Sequence, residues 1–332
     1  MTAFRAFRIH HDDASYRAGI EAMDTDALSP GEVLIKVAYS SVNYKDALAG
    51  TGKGRILRHF PLNGGIDVAG RVIASADPAF RQGQAVLCTG SGLSETRDGG
   101  YAQYARLDAR WTIPLPPGLS LRESMILGTA GFTAALALLR MQDNRQTPTL
   151  GPIAVTGASG GVGQLAIDIF SRAGYTVHAI SGKTDHFDFL RELGASVCID
   201  RHQLGFSGKP IDSARFGGAL DNVGHGMLAG LLPLISPYGN VALCGNAGGI
   251  AFDSTVMPFI IRGVSLLGVA SAGTARNIRD EVWRRLAGEW KPKCLDRIST
   301  CEIGLDELPD VFERMLAGKS FGRTLVRVDS TL

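Results

Sequence analysis

Alternation of apolar and polar positions dominates the first third of the chain and then gives way to helical spacing. Glu32 to Asn43 (EVLIKVAYSSVN) alternates with a period of two, as a half-buried strand does. Asp67 to Ala74, Gln84 to Thr89 and Tyr101 to Leu107 repeat the pattern. Gly, Pro and Asn clusters separate these runs, which predicts a small, irregular β-barrel. Near Glu123 the pattern changes. Ser124 to Leu139 is a long apolar run that reads as helix, interrupted by Gly128-Thr129-Ala130-Gly131. A polar connector with prolines, Gln142 to Pro152, leads onward.

Strand and helix then alternate. Ile153 to Thr156 is a short apolar strand, and Val162, Leu165, Ala166, Ile169, Phe170 and Ala173 follow at the spacing of a helix packed on a sheet. Thr176 to Ile180, Ser196 to Ile199, Ala219 to Val223, Val241 to Gly245 and Val264 to Ala270 supply further strands, with a helix at Asp188 to Leu193. This order predicts a parallel, doubly wound sheet. The tail, with a strand at Ile298 to Ile303, a helix near Asp306 to Leu316 and a strand at Thr324 to Val328, reads as β-structure returning to the first domain. The expected division is one domain of 1–123 with 272–332, and a second of 124–271.

Composition narrows the classes. With 332 residues, 45% hydrophobic and 20% charged, the chain has enough apolar content for two cores. Lys and Arg exceed Asp and Glu by 34 − 32, a net charge of +2, with no basic run, so a nucleic-acid partner is not expected. The opening, Met1-Thr2-Ala3-Phe4-Arg5-Ala6-Phe7, lacks the apolar core of a signal peptide, and no run of ~20 apolar residues follows, so a cytoplasmic enzyme with no membrane association is expected. Five cysteines without C-x2-C spacing exclude a four-cysteine zinc site and speak against disulfides.

The segment Ala154-Val155-Thr156-Gly157-Ala158-Ser159-Gly160-Gly161-Val162-Gly163 carries the clearest chemistry. It follows an apolar strand and opens an amphipathic helix, where N–H groups and the helix dipole can hold a pyrophosphate. Ala158 replaces the first glycine of the usual fingerprint, so this is a variant form. Enzymes selective for NAD place a carboxylate at the end of the second strand to bind the ribose 2′-hydroxyl. Here that strand ends in Ser181-Gly182-Lys183, a hydroxyl and a cation suited to a 2′-phosphate, so NADPH is the expected cofactor. Asp185 is the counterweight, placed beyond the strand end. Arg201 reads equally as a phosphate neighbour or as surface.

The whole chain resembles the zinc-free branch of the medium-chain dehydrogenase/reductases, within it the acryloyl-CoA reductase group of quinone-oxidoreductase-like enzymes. The resemblance rests on Ser41-Val42-Asn43-Tyr44-Lys45-Asp46-Ala47-Leu48, Gly65-Ile66-Asp67, Gly128 to Ala134, Ser181-Gly182-Lys183, Met257-Pro258-Phe259-Ile260 and Gly322-Arg323-Thr324-Leu325-Val326. It implies a GroES-like β-barrel catalytic domain beside a Rossmann cofactor domain, and a homodimer joined through the last parallel strand. By this likeness Tyr44, Ser159, Gly160, Gly161, Val162, Ser181, Gly182, Lys183, Arg201, Asn246, Ile260 and Ser271 fall at NADPH-contacting positions. The chain departs from the group at Gly64, at Asn246, at Ala270-Ser271-Ala272 and in the loop Ser91 to Asp98, on the substrate side.

Zinc-dependent relatives carry Cys at Asn43-Tyr44 and His-Glu at Ile66-Asp67, and the seven histidines here form no ligand spacing, so no metal is expected. Without a Lewis acid, conjugate reduction is easier to arrange than ketone reduction. Tyr44, Asn43 and Asp46 are the candidates to stabilise the enolate or move its proton. For Asp46 the alternative is a helix cap, and for Asn43 the satisfaction of backbone groups at a strand end. Arg55, Arg58 and Arg323 are candidates for a basic rim that attracts the phosphates of a CoA ester, with solvated surface charge as the alternative. The expected activity is NADPH-dependent reduction of an enoyl thioester, acryloyl-CoA first. The rivals are a quinone or enone reductase and an NADPH-binding protein with little turnover.

Overall fold

The computed structural model describes residues 3–12 and 15–329. Met1, Thr2, Asp13, Ala14 and residues 330–332 therefore lie outside the described residues, and with them the extreme ends of the expected first domain. The chain divides into two compact units. Unit 1 takes in Met1–Thr129, Ala272–Ala287 and Leu295–Leu332, and unit 2 takes in Ala130–Ser271 and Gly288–Cys294.

Unit 1 begins with strands β1 (Phe4–His11), β2 (Tyr16–Met23) and β3 (Val33–Val42), then helix α1 (Tyr44–Thr51). Strands β4 (Leu62–Asn63), β5 (Asp67–Ser75), β6 (Ala85–Thr89), β7 (Tyr104–Leu107) and β8 (Ile113–Pro114) follow. A three-stranded sheet runs β2-β1-β4. Val33, Ile35 and Val37 of β3 point inward with Val68, Val72 and Val86, the core that the alternation predicts.

Helix α2 (Leu121–Asp143) is not continuous: Gly128 sits at φ +48°, ψ −153°. That backbone favours glycine, and a Cβ there would come within 2.5 Å of Asp67 Oδ2. Among the described residues α2 is the one helix long and apolar enough to cross a membrane, but 89% of its apolar stretch is buried, as in a core helix.

Unit 2 holds β9 (Ile153–Thr156), α3 (Gly161–Arg172), β10 (Val177–Ser181), α4 (Phe187–Glu192), β11 (Ala195–Asp200) and β12 (Phe216–Asp221). It continues with α5 (His225–Leu231), β13 (Ile235–Leu243), α6 (Met257–Arg262) and β14 (Ser265–Gly268). The six strands are all parallel, in the order β11-β10-β9-β12-β13-β14. This is the doubly wound sheet, and β9 has the bounds that its apolar run predicts.

The chain returns to unit 1 through α7 (Arg276–Ala287), α8 (Leu295–Ile298), β15 (Ser299–Ile303), α9 (Leu308–Leu316) and β16 (Arg323–Arg327). β16 pairs antiparallel with β3, completing a sheet of order β15-β16-β3-β5-β6-β8, with β7 on β3. This pairing brings Arg323 to the start of α1, 280 residues away in sequence.

Candidate active site

In a parallel sheet all strands end at one edge, and loops after those ends gather a ligand. Ser159 to Val162 follow β9, Ser181 to Lys183 close β10, Arg201 follows β11, Asn246 follows β13 and Ser271 follows β14. The sheet thus gathers most of the predicted cofactor residues at one edge of unit 2. Tyr44 opens α1 in unit 1, and within unit 2 Ile260 is the exception. It lies on α6, 68% exposed. Two residues on, Arg262 bonds the carbonyls of Pro233 and Ile235, where β13 begins, at the opposite edge.

The phosphate-binding features are built from backbone. Gly160 precedes α3 and no side chain caps the helix, which leaves first-turn N–H groups for an anion. At Gly163 a Cβ would come within 2.5 Å of the Gly157 carbonyl, so the loop and helix can close together only without a side chain. Ser181 is buried at the strand end, its hydroxyl 3.0 Å from Ser159 Oγ, and it accepts the Lys183 N–H at 3.1 Å. Partial burial lowers the Lys183 ammonium from its ordinary value. Arg201 Nε lies 2.7 Å from where a Cβ on Gly182 would stand, so this guanidinium flanks the same turn. A hydroxyl and two cations at one strand end fit a 2′-phosphate.

Unit 1 presents a buried polar network at the start of α1. Asp67, fully buried, accepts Ser41 Oγ–H at 2.6 Å, Asn43 Nδ2–H at 2.8 Å, and from Thr129 the N–H at 2.9 Å and Oγ1–H at 2.6 Å. Arg323 is 3% exposed, with Nη2 3.9 Å from Asp67 Oδ2. It donates to the carbonyls of Ile126 and Val42 (3.0 Å each), to Asn43 Oδ1 (3.1 Å) and to Ser41 Oγ (2.6 Å). Burial pulls the guanidinium below its ordinary value, while the charges of Asp67 and Asp46 hold it up.

These contacts revise three sequence readings. Arg323 belongs to no basic rim, because it is buried and bonded to main chain and side chains. Asp46 caps α1: its Oδ2 accepts the Asn43 N–H at 2.9 Å and its Oδ1 the Ile66 N–H at 2.9 Å. Burial, reinforced by Asp67, pushes this carboxyl up to about 7. Asn43 spends its backbone N–H on Asp46 and both amide hydrogens on Asp46 and Asp67, so it has no N–H left for a substrate carbonyl. Of the four catalytic candidates Tyr44 is the most open to solvent, 44% exposed at the first position of α1, with Asn43 half-buried beside it and Asp46 and Arg323 buried. Asp67, Ser41 and Thr129 are the residues that sequence reasoning missed. The available signal was a carboxylate opening the otherwise buried run of β5.

No group of three His, Cys, Asp or Glu among the described residues is placed to hold a metal ion. The donor set argues the same way. Asp67 already takes four hydrogen bonds beside a guanidinium, so its charge is matched, and its neighbours Asn43 and Arg323 are poor ligands for zinc.

Residues 29–117 match the family description "Alcohol dehydrogenase GroES-like domain", and residues 161–288 match "Zinc-binding dehydrogenase". "Probable acrylyl-CoA reductase AcuI" of Escherichia coli is 42% identical over 98% of this chain and 100% of its own length. The chain belongs to the medium-chain dehydrogenase/reductase family. "Putative quinone oxidoreductase YhfP" of Bacillus subtilis, another member, is 41% identical over 98% of this chain and 99% of its own. The crystal structure of Bacillus subtilis yhfP with NAD bound has a TM-score of 0.95, covering 99% of this chain and 100% of that one. Escherichia coli YhdH with bound NADPH has a TM-score of 0.93 at 42% identity, covering 98% and 100%. Family membership makes this chain an oxidoreductase with a GroES-like domain and a Rossmann sheet. The zinc in the family description finds no ligand set among the described residues.

Proposed function

We propose that the protein is a cytoplasmic reductase that uses NADPH to reduce the C=C bond of an α,β-unsaturated acyl thioester, acryloyl-CoA to propionyl-CoA. The 42% identity to an acrylyl-CoA reductase along nearly the whole of both chains carries this reading. NADPH supplies a hydride from nicotinamide C4 to the β-carbon of the substrate. The uncapped start of α3 holds the pyrophosphate, and Ser181, Lys183 and Arg201 hold the 2′-phosphate. Tyr44 donates its hydroxyl to the thioester carbonyl and stabilises the enolate that develops there. Asn43, Asp46, Asp67 and Arg323 fix the turn on which Tyr44 stands.

A second reading, quinone reduction with the same machinery, is favoured by the likeness to YhfP. Steady-state rates separate the two, with acryloyl-CoA, crotonyl-CoA and a benzoquinone each offered with NADPH and with NADH. Acryloyl-CoA with NADPH is expected to give the highest kcat/KM. Lys183→Glu is expected to erase the preference for NADPH, a charge-assisted contact of about 1.5–3 kcal/mol. Equal use of both nicotinamides by the wild type would refute the cofactor assignment, and a faster quinone reaction would favour the second reading.

We also propose that two copies form a homodimer. Strand β14 ends the parallel sheet, and an unpaired apolar edge invites pairing with its own copy across a two-fold axis. Ile260 and Ile261, on the helix that precedes β14 in the chain, and Val256 at its N-cap are further exposed apolar residues. Light scattering is expected to give twice the chain mass at low micromolar concentration. A stable monomer there rules the dimer out.

A further inference from the structure

Unit 1 contains a second feature that the chemistry at Tyr44 does not use. A cavity of about 550 Å³ opens at the far end of α1, within the size range of small-molecule sites. Three rings line it: His11 and Phe60 have centroids 5.3 Å apart, Tyr16 and Phe60 6.0 Å, and His11 and Tyr16 5.6 Å. Arg55 and Arg58 complete the lining, both exposed and neither in an ion pair among the described residues. Rings beside free guanidinium groups suit a flat heteroaromatic base that carries phosphate.

Among the described residues the end of α1 and Asp12 oppose an anion here, and both are outweighed. The C-terminal end of α1 carries roughly half a negative charge, against two full positive charges. The Ala49 carbonyl at that end is already taken by the Tyr16 hydroxyl and by the Gly52 N–H. Asp12 turns its carboxylate to the Ser15 N–H at 2.9 Å.

Position connects the cavity to the reacting group. Tyr44 opens α1 and cavity-lining Gly52 closes it, so about 12 Å of helix separates them. A pantetheine arm covers that distance. We infer that the cavity takes the adenosine 3′-phosphate end of the acyl-CoA, with the purine against the rings of Tyr16 and Phe60 and the phosphomonoester on Arg55 and Arg58. This rests on the thioester reading above and adds the residues that select CoA over a shorter thioester.

The test has a binding arm and a turnover arm. Adenosine 3′,5′-bisphosphate is titrated by calorimetry into protein saturated with NADPH, so that the nucleotide edge of unit 2 is already filled. One site is expected in the wild type, at least ten-fold weaker in the Arg55→Ala/Arg58→Ala double variant and in Phe60→Ala, with adenosine 2′,5′-bisphosphate binding less well. Both arginines are exposed, so the double variant does not threaten the core. In turnover, the double variant is expected to raise the KM for acryloyl-CoA ten-fold or more and to leave that for acryloyl-pantetheine at the wild-type value. Absence of bisphosphate binding, or binding that the double variant does not weaken, overturns the inference. Equal KM for the two thioesters in the wild type overturns it too, while the thioester reading stands. A wild type that reduces neither thioester overturns the thioester reading, and the calorimetry then judges the cavity by itself.

Discussion

Arg323→Ala is expected to lower the unfolding free energy by about 3–5 kcal/mol, the usual cost of stripping one partner from a buried ion pair. The substitution takes the guanidinium from beside Asp67, which is buried close to the Asp46 carboxyl. It also leaves the Val42 and Ile126 carbonyls without the donors they have now. Lysine cannot replace the fork, because the guanidinium serves four acceptors at once. Arg323→Lys is therefore expected to recover only part of the loss. Denaturant titration and calorimetry measure both variants. A folded, fully stable Arg323→Ala whose only defect is a raised KM for acryloyl-CoA would return this residue to the phosphate-binding role that its sequence context suggests.

Tyr44→Phe is expected to fold normally and to lose about 10²-fold in kcat, the usual effect of removing one donor to a developing oxyanion. The ring keeps its volume and its place at the first turn of α1, so stability should stay within a few tenths of a kcal/mol of wild type. Tyr44→Ala serves as the contrast. Should Tyr44→Phe be silent while Tyr44→Ala raises the KM for NADPH, the ring packs against cofactor and the hydroxyl takes no part in the chemistry.

The parallel sheet was legible because its strands carry short apolar runs set between helical spacing and Gly-rich turns, although β13 begins six residues before its apolar run, in Ile235-Ser236-Pro237-Tyr238-Gly239-Asn240. Ile153 to Thr156 and the helix after it show this best, since burial on both faces leaves little choice of residue there. The cofactor edge followed from the same reading, because loops after parallel strands converge whatever their sequence. Arg323 was not legible. In Gly322-Arg323-Thr324-Leu325-Val326 an arginine looks like an ordinary strand charge, and its burial depends on Asp67, 256 positions earlier. For Asn43 and Asp46 the local alternative, a cap between residues three apart, was legible and is what the structure shows, whereas their bonds to Asp67 and Ile66 reach residues that no local pattern connects. The β1–β2 pair and α7 lie in polar, irregular stretches, and α7 even buries Arg279, which donates to Thr89. Only tertiary packing makes such segments regular.

Hydride from NADPH is expected to reach the β-carbon of an enoyl thioester. Acryloyl-CoA is incubated with the enzyme and NADPH dideuterated at nicotinamide C4, and the product is read by mass spectrometry and deuterium NMR. One deuterium on the β-carbon of propionyl-CoA, with the α-proton drawn from solvent, is the expected result. Deuterium at the carbonyl carbon, or acryloyl-CoA returned unchanged while a quinone consumes the label, would contradict it.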